Sequence, residues 1–223
     1  MANILHIETS TKACSVALSR DGKLLALKES VTDNFSHSEN LTLFIQDVLD
    51  QTCIELKDIQ AVSVVSGPGS YTGLRIGVST AKGLCYALSI PLISVDSLIS
   101  MATLVKEKYP KMNLLSLIDA RRMEVFSAIY SPELELIKPI SADIIEENTY
   151  SEYEPFVYFG DGASKLQEVW QNRSNIEYVA DINTSALGQI EIAYQKYLKE
   201  DFEDVAYFEP YYLKDFMSTK KSL

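Results

Sequence analysis

Two small α/β lobes, each a mixed sheet flanked by helices, are the architecture this sequence predicts, and three observations predict it. Around residues 62–88 a β-branched run, Ala61-Val62-Ser63-Val64-Val65, passes through a glycine-rich loop into a stretch with apolar residues at helical spacing. That is a strand-loop-helix joint of the kind found in open α/β sheets. A plan of strand, turn, strand, tight turn and strand stands near the N-terminus and recurs after residue 113. The length, 223 residues, exceeds one average domain and falls short of two large ones.

In chain order, 4–8 reads as a strand, Thr9 to Lys12 as a turn and 14–20 as a second strand; Asp21-Gly22 is a hairpin turn that needs positive φ, and 23–29 a third strand. A helix over 36–50 follows, with Ser36 and Glu39 as a capping box and Leu41, Phe44, Ile45, Val48 and Leu49 on one face. After the central joint come a strand over 92–95 and a helix that begins near Asp96 or Ser97 and stops before Tyr109-Pro110. The second half restates the plan with strands at 114–119, 124–130 and 134–137, the last two joined at Ser131-Pro132-Glu133. It continues with a strand at 156–159, the loop Gly160-Asp161-Gly162, a helix over 164–170, a strand at 176–179 and a long helix over 184–198. The expected division is 1–108 for the first lobe and 109–205 for the second, with 206–223 returning to the first. A carboxylate closes the first strand of each half, Glu8 and Asp119.

Composition narrows the function. Apolar residues make up 47%, enough for a core, while a net charge of −11 argues against a chain that binds nucleic acid unaided, since phosphate neutralisation needs clustered Lys and Arg. A role in RNA chemistry would need a partner to hold the RNA. Cys14, Cys53 and Cys85 are odd in number and far apart, as expected of reduced thiols in a cytoplasmic protein. The N-terminus lacks a basic region and no apolar run approaches 18 residues, so neither a signal peptide nor a membrane span is expected.

The central loop is Ser66-Gly67-Pro68-Gly69-Ser70-Tyr71-Thr72-Gly73-Leu74-Arg75-Ile76-Gly77. Gly67, Gly69 and Gly73 permit backbone conformations closed to other residues and Pro68 fixes one φ, while Ser70 and Arg75 are its polar members. Two readings stay open, an anion or nucleotide cradle at a helix N-terminus and a tight structural turn. The spacing fits neither GxGxxG nor GxxxxGK[ST].

This loop, followed by Ala81-Lys82-Gly83-Leu84 and preceded by Ile7-Glu8-Thr9-Ser10-Thr11 and Cys14-Ser15-Val16-Ala17-Leu18, resembles the TsaB (YeaZ) family. The likeness recurs at His37-Ser38-Glu39, at Asp119-Ala120-Arg121-Arg122-Met123-Glu124-Val125-Phe126 and at Pro210-Tyr211-Tyr212-Leu213, covering most of the chain in order. It departs at Leu43, where the family pattern often has proline, which bears on the geometry of the first helix. The resemblance implies two ribonuclease-H-like lobes of the actin-like ATPase (ASKHA) fold. It also implies a non-catalytic subunit of the bacterial machinery that installs N6-threonylcarbamoyladenosine beside the anticodon of tRNAs reading codons that start with A. Its implied partners are the catalytic subunit TsaD and the ATPase TsaE, with tRNA reached through the complex. Whether the free chain is a homodimer stays open.

Three catalytic alternatives stand beside this reading. An actin-like small-molecule kinase would bring a glycine-bearing hairpin to the phosphates in each lobe, but the turns here, Thr9-Ser10-Thr11-Lys12 and Ala120-Arg121-Arg122-Met123, contain none. No cofactor is therefore expected on the isolated chain, and ATP or ADP only at an interface within the complex. A metal enzyme would need more ligands than His6, read as a partly buried strand residue, and His37, read as packed or hydrogen-bonded at a helix end. By resemblance, Ser97 and Met101 stand where TsaD carries the histidines of an HxxxH motif. A glycoprotease-like hydrolase lacks a GxSxG elbow and a His-Asp escort for Ser66, Ser70 or Cys85.

A binding surface remains. At about 100° per residue, Leu74, Gly77, Val78, Ala81, Cys85 and Leu88 form one stripe, suited to a sheet, and Ile76, Thr80, Gly83, Leu84 and Ala87 a second. Arg75, Ser79, Lys82 and Tyr86 form a narrow polar arc. The second stripe would pack on the 36–50 helix of this chain or on another protein. The resemblance implies both, in an inter-subunit helical bundle with TsaD. The expected partner surface is His37, Leu41, Ile76, Thr80, Gly83, Leu84 and Ala87.

Overall fold

The computed structural model describes residues 1–31 and 37–214. The first sheet contains β1 (Asn3–Glu8), β2 (Ala13–Arg20), β3 (Lys23–Val31), β4 (Ala61–Gly67) and β5 (Leu92–Asp96) in the order β3-β2-β1-β4-β5. The first three strands form an antiparallel meander, and β4 and β5 join parallel beside β1. The second sheet contains β6 (Asn113–Asp119), β7 (Glu124–Tyr130), β8 (Leu136–Ile144), β9 (Phe156–Phe159) and β10 (Ile176–Tyr178) in the order β10-β9-β6-β7-β8. Its strands pair in the same directions. One topology is thus stated twice, the duplicated ribonuclease-H-like arrangement of the actin-like ATPase fold.

Parallel pairing of β1 with β4 needs a crossover, which α1 (His37–Thr52) supplies, and α2 (Tyr71–Leu88) carries β4 to β5. Both helices cover one face of the first sheet: Leu41, Phe44, Ile45, Val48 and Leu49 of α1 and Val78, Ala81 and Cys85 of α2 meet Leu5, Ile7, Val16, Leu18, Val62 and Val64. The opposite face is closed from the far end of the chain, where Ala193 of α4 (Ile190–Leu198) packs on Ile4, Ala61, Ile93 and Val95, and Ala186 and Ile190 on Ala17. The second sheet takes α3 (Ser97–Thr103) on one face, through Leu98, Met101 and Ala102, and an aromatic cluster around Trp170 on the other. Among the described residues no helix is long and apolar enough to cross a membrane.

Several expectations are corrected. The helix expected over 164–170 is a single 3-10 turn, Ser164–Leu166, because Trp170 turns inward against Tyr158, ring centroids 5.0 Å apart, and donates from Nε1 to the Glu146 carbonyl at 3.1 Å. The helix expected over 184–198 starts as the 3-10 turn Ala186–Gln189 and becomes α-helical at Ile190. The side chain of Gln189 there reaches Ser63 Oγ at 2.8 Å and the Ile7 carbonyl at 2.9 Å. The strand expected at 134–137 starts at Leu136 and runs to Ile144, since Leu134 closes the preceding turn at φ +67°. The helix after β5 ends at Thr103 and is followed by the 3-10 turn Lys106–Lys108. The chain also crosses back onto the first lobe well before residue 206. Thr11 meets Thr184, Glu29 accepts from Ser185, and Ala186 N donates to Ser15 Oγ. The Ser36 capping box lies outside the described residues.

Candidate functional site

The site is built where β1 ends. The turn after Glu8 lies directly under the glycine loop: Ser70 N donates to the Ser10 carbonyl at 2.6 Å, and Thr9 Oγ1 donates to the Gly73 carbonyl at 2.8 Å. Missing side chains make this approach possible. A Cβ at Gly69 would strike the backbone and Cβ of Ser10, one at Gly73 the Thr9 carbonyl oxygen, and one at Gly77 Thr9 Oγ1. Positive φ is confined to Gly67, at +116°, so the expectation that all three loop glycines supply unusual backbone conformations is corrected: Gly69 and Gly73 are there for closeness. The Gly67-Pro68 bond is cis, Ser70 caps α2 by accepting from Gly73 N at 3.3 Å, and His37 Nε2 donates to the Thr11 carbonyl from the other side at 2.8 Å. Thr9 and Ser10 are fully buried, so the N–H and hydroxyl groups a phosphate would need are spent within the protein.

Glu8 lies at the bottom of this closure with no exposed surface. Its Oε1 accepts from Ser10 N and Ser10 Oγ, both at 2.6 Å, while Oε2 has no hydrogen-bond partner among the described residues. Burial pushes its carboxyl up to about 7 against the opposing hydrogen bonds from Ser10, and Asp161 and Asp96 add smaller repulsions. Asp96 caps α3, accepting from Leu98 N and Ile99 N, and burial raises it to about 6. The two carboxyls stand at the seam between the lobes.

The second lobe repeats the device with different chemistry. Gly160, at φ +104°, and Gly162 lie against the end of β6, as Gly69 lies against the first turn. Arg121 and Arg122 of the β6–β7 turn have φ of +73° and +51°. Lys165 fills the turn with its ammonium, pairing with Asp119 and donating to the carbonyls of Arg122 at 2.8 Å and Glu124 at 2.7 Å. Lys214 pairs with Glu124.

Both histidines are buried and hydrogen-bonded within the chain. His6 is fully buried, not partly as expected, and meets Ser19 Oγ at 2.7 Å; burial lowers it to about 3, so it is neutral. Ser97 and Met101 are buried, Met101 in the core of the second lobe. Among the described residues no group of three or more His, Cys, Asp or Glu is placed to hold a metal ion.

The outer face of α2 is open. Ile76, Thr80 and Leu84 are half-buried, Gly83 and Ala87 exposed, and a Cβ at Gly83 would meet nothing within 4 Å. Tyr86 on the same helix and Leu43 on α1 are 84% and 60% exposed. Two members of the expected partner surface are corrected: His37 and Leu41, each 1% exposed, face this chain's own core and offer a partner nothing. Arg75 is tied locally, its Nε donating to Tyr212 OH at 3.3 Å and its guanidinium lying 4.1 Å from the Tyr71 ring centroid. Sequence reasoning missed Lys165 and Lys82, whose ammonium holds the Ala206 and Phe208 carbonyls and so binds the C-terminal strap along α2. No local spacing announces either lysine.

The family model described as TsaD, tRNA N6-adenosine threonylcarbamoyltransferase, matches residues 34–219. The Escherichia coli K12 tRNA threonylcarbamoyladenosine biosynthesis protein TsaB is 30% identical, the alignment covering 98% of this chain and 97% of that one. The Haemophilus influenzae protein of the same name is 29% identical over 98% and 96%. Among solved structures, YeaZ from Pseudomonas aeruginosa superposes with a TM-score of 0.83 at 25% identity, covering 96% of this chain and all of that one.

Two measurements check this geometry. Gly73→Ala drives a methyl into the Thr9 carbonyl and should cost about 1–3 kcal/mol in urea unfolding, whereas Gly83→Ala enters open space on a helix and should gain up to about 1 kcal/mol. For Glu8 the folded carboxyl is raised, so its contribution to stability is fully present below the ordinary value of 4.5 and is lost as pH rises through about 7. Glu8→Gln should therefore melt close to the wild type at pH 5 and above it at pH 8. Asp96 leaves a residual slope near pH 6.

Proposed function

From the premise that this chain belongs to the TsaB (YeaZ) family, we propose that it is a non-catalytic subunit of the machinery that makes N6-threonylcarbamoyladenosine in tRNA. In this reading it heterodimerises with the catalytic subunit TsaD and helps to recruit the ATPase TsaE in the cytoplasm. The observation that carries the reading is the filled first turn, where Ser70 N and Thr9 Oγ1, the groups that would receive a phosphate, are bonded to Ser10 and Gly73. Lys165 fills the second turn in the same sense. An actin-like kinase needs both turns open to a nucleotide. The isolated chain then binds no nucleotide, and ATP or ADP belongs to an interface within the complex.

The outer face of α2 supports the partner role. Gly83 and Ala87 are small and exposed, so a second helix would approach the α2 backbone closely, with the exposed Tyr86 as a large neighbour on the same helix. Ile76 and Leu84 are anchored to this chain's core and would form the floor of that contact. The tRNA is held by the assembled complex, consistent with a net charge of −11 on this subunit.

Calorimetry of the isolated chain with ATP and magnesium should register no binding in the micromolar range; micromolar binding with phosphate release would remove the pseudo-enzyme reading. Ala87→Arg places a long charged side chain at the contact and should weaken association with TsaD by more than about a hundredfold, an unpaired interfacial charge costing about 3 kcal/mol or more. Modification by the reconstituted system should fall with it. Since Ala87 is exposed in this chain, the variant's own melting temperature should be unchanged. A folded variant that still supports full modification would move the interface elsewhere.

A further inference from the structure

We propose that the β6–β7 turn is a contact for the phosphate backbone of RNA, made by Arg121 and Arg122 in the assembled complex; this rests on the tRNA-modifying role proposed above. The backbone conformation is the first observation. Both residues are left-handed, at φ +73° and +51°, where L side chains are disfavoured and where Asn, Asp and Gly are usual. The tight turn of the first lobe uses Asp21-Gly22 at the same kind of position.

Rigidity is the second. Ala120 N donates to the Glu124 carbonyl at 3.1 Å and Glu124 N to the Arg121 carbonyl at 3.2 Å. Asp119 Oδ1 accepts from Arg121 N at 3.1 Å, and Lys165 holds the carbonyls on either side of Met123. The turn is therefore held in place without help from the arginine side chains.

The state of those side chains is the third. Both are exposed, and neither guanidinium makes an ion pair, a side-chain hydrogen bond or a ring contact among the described residues. The acids that bracket the turn are already matched, Asp119 by Lys165 and Glu124 by Lys214. Two unneutralised arginines on a braced turn stand out in a chain of net charge −11. A guanidinium fork fits phosphate oxygens in bidentate geometry, and release of counterions from RNA rewards each such contact. They give an otherwise repulsive surface a local point at which a polyanion is accepted.

The test uses the complex co-purified with TsaD and an unmodified tRNA transcript, with affinity measured over a range of salt concentrations. Arg121→Gln with Arg122→Gln should weaken tRNA binding roughly tenfold and lower the slope of log K against log salt by roughly 1 to 2, with co-purification unchanged. Arg121→Lys with Arg122→Lys should keep most of that slope. Should the glutamine pair fail to fold, Arg122→Gln alone is read, with about half the change in slope. Unchanged affinity and slope overturn the proposal. So does loss of the complex in the glutamine pair alone, which makes the turn a protein contact. A wild-type pair that does not co-purify fails the role proposed above, and this proposal with it.

Discussion

The rest of the molecule depends on the absence of three side chains. Gly69, Gly73 and Gly77 let the loop and first turns of α2 rest on Thr9 and Ser10 with no methyl between them. That contact fixes where α2 lies across β1, and hence which of its faces meets the sheet and which is left outside. It also buries Glu8, whose second oxygen has no partner among the described residues. An ionised carboxylate there is poorly solvated, which is why burial raises the Glu8 carboxyl to about 7.

Duplication explains the plan, and the differences between the copies explain what each lobe does. Gly67 and Gly160 follow equivalent parallel strands and both adopt positive φ. Around that shared skeleton the first lobe has two full helices on one face, giving it an outer surface to offer. The second lobe has a single short turn beside Trp170 and closes on aromatic rings instead. Its loop is filled by a lysine, so the two turns that would face one ligand are occupied by different internal groups.

Nine of the ten strands among the described residues were legible to within about two residues because β-branched runs, period-two alternation and tight turns mark them, β8 being the exception, and Glu8 and Asp119 were legible because each ends such a run. What escaped was set by distant contacts. Trp170 and Gln189 lie in stretches with helical spacing, yet one turns into an aromatic cluster and the other spans to Ser63 and Ile7, and these override propensity. Gly73 was singled out correctly but for backbone freedom, whereas its reason is the Thr9 carbonyl, which no local pattern reveals. His37 and Leu41 share the apolar stripe of α1, and sequence alone does not say whether such a stripe faces its own sheet or a partner.

The route of the C-terminal segment has a consequence for how the protein comes into being. One face of the first sheet is covered by α4, through residues about 180 positions later in the chain, as the bond from Gln189 to Ile7 illustrates. During synthesis the first lobe therefore emerges with Ile4, Ala17, Ala61 and Ile93 bare on one side, and stays so while the whole second lobe is made. The lobe that is translated first is the last to be completed. Its exposed sheet face, between those two moments, is a surface for chaperones or for misassembly.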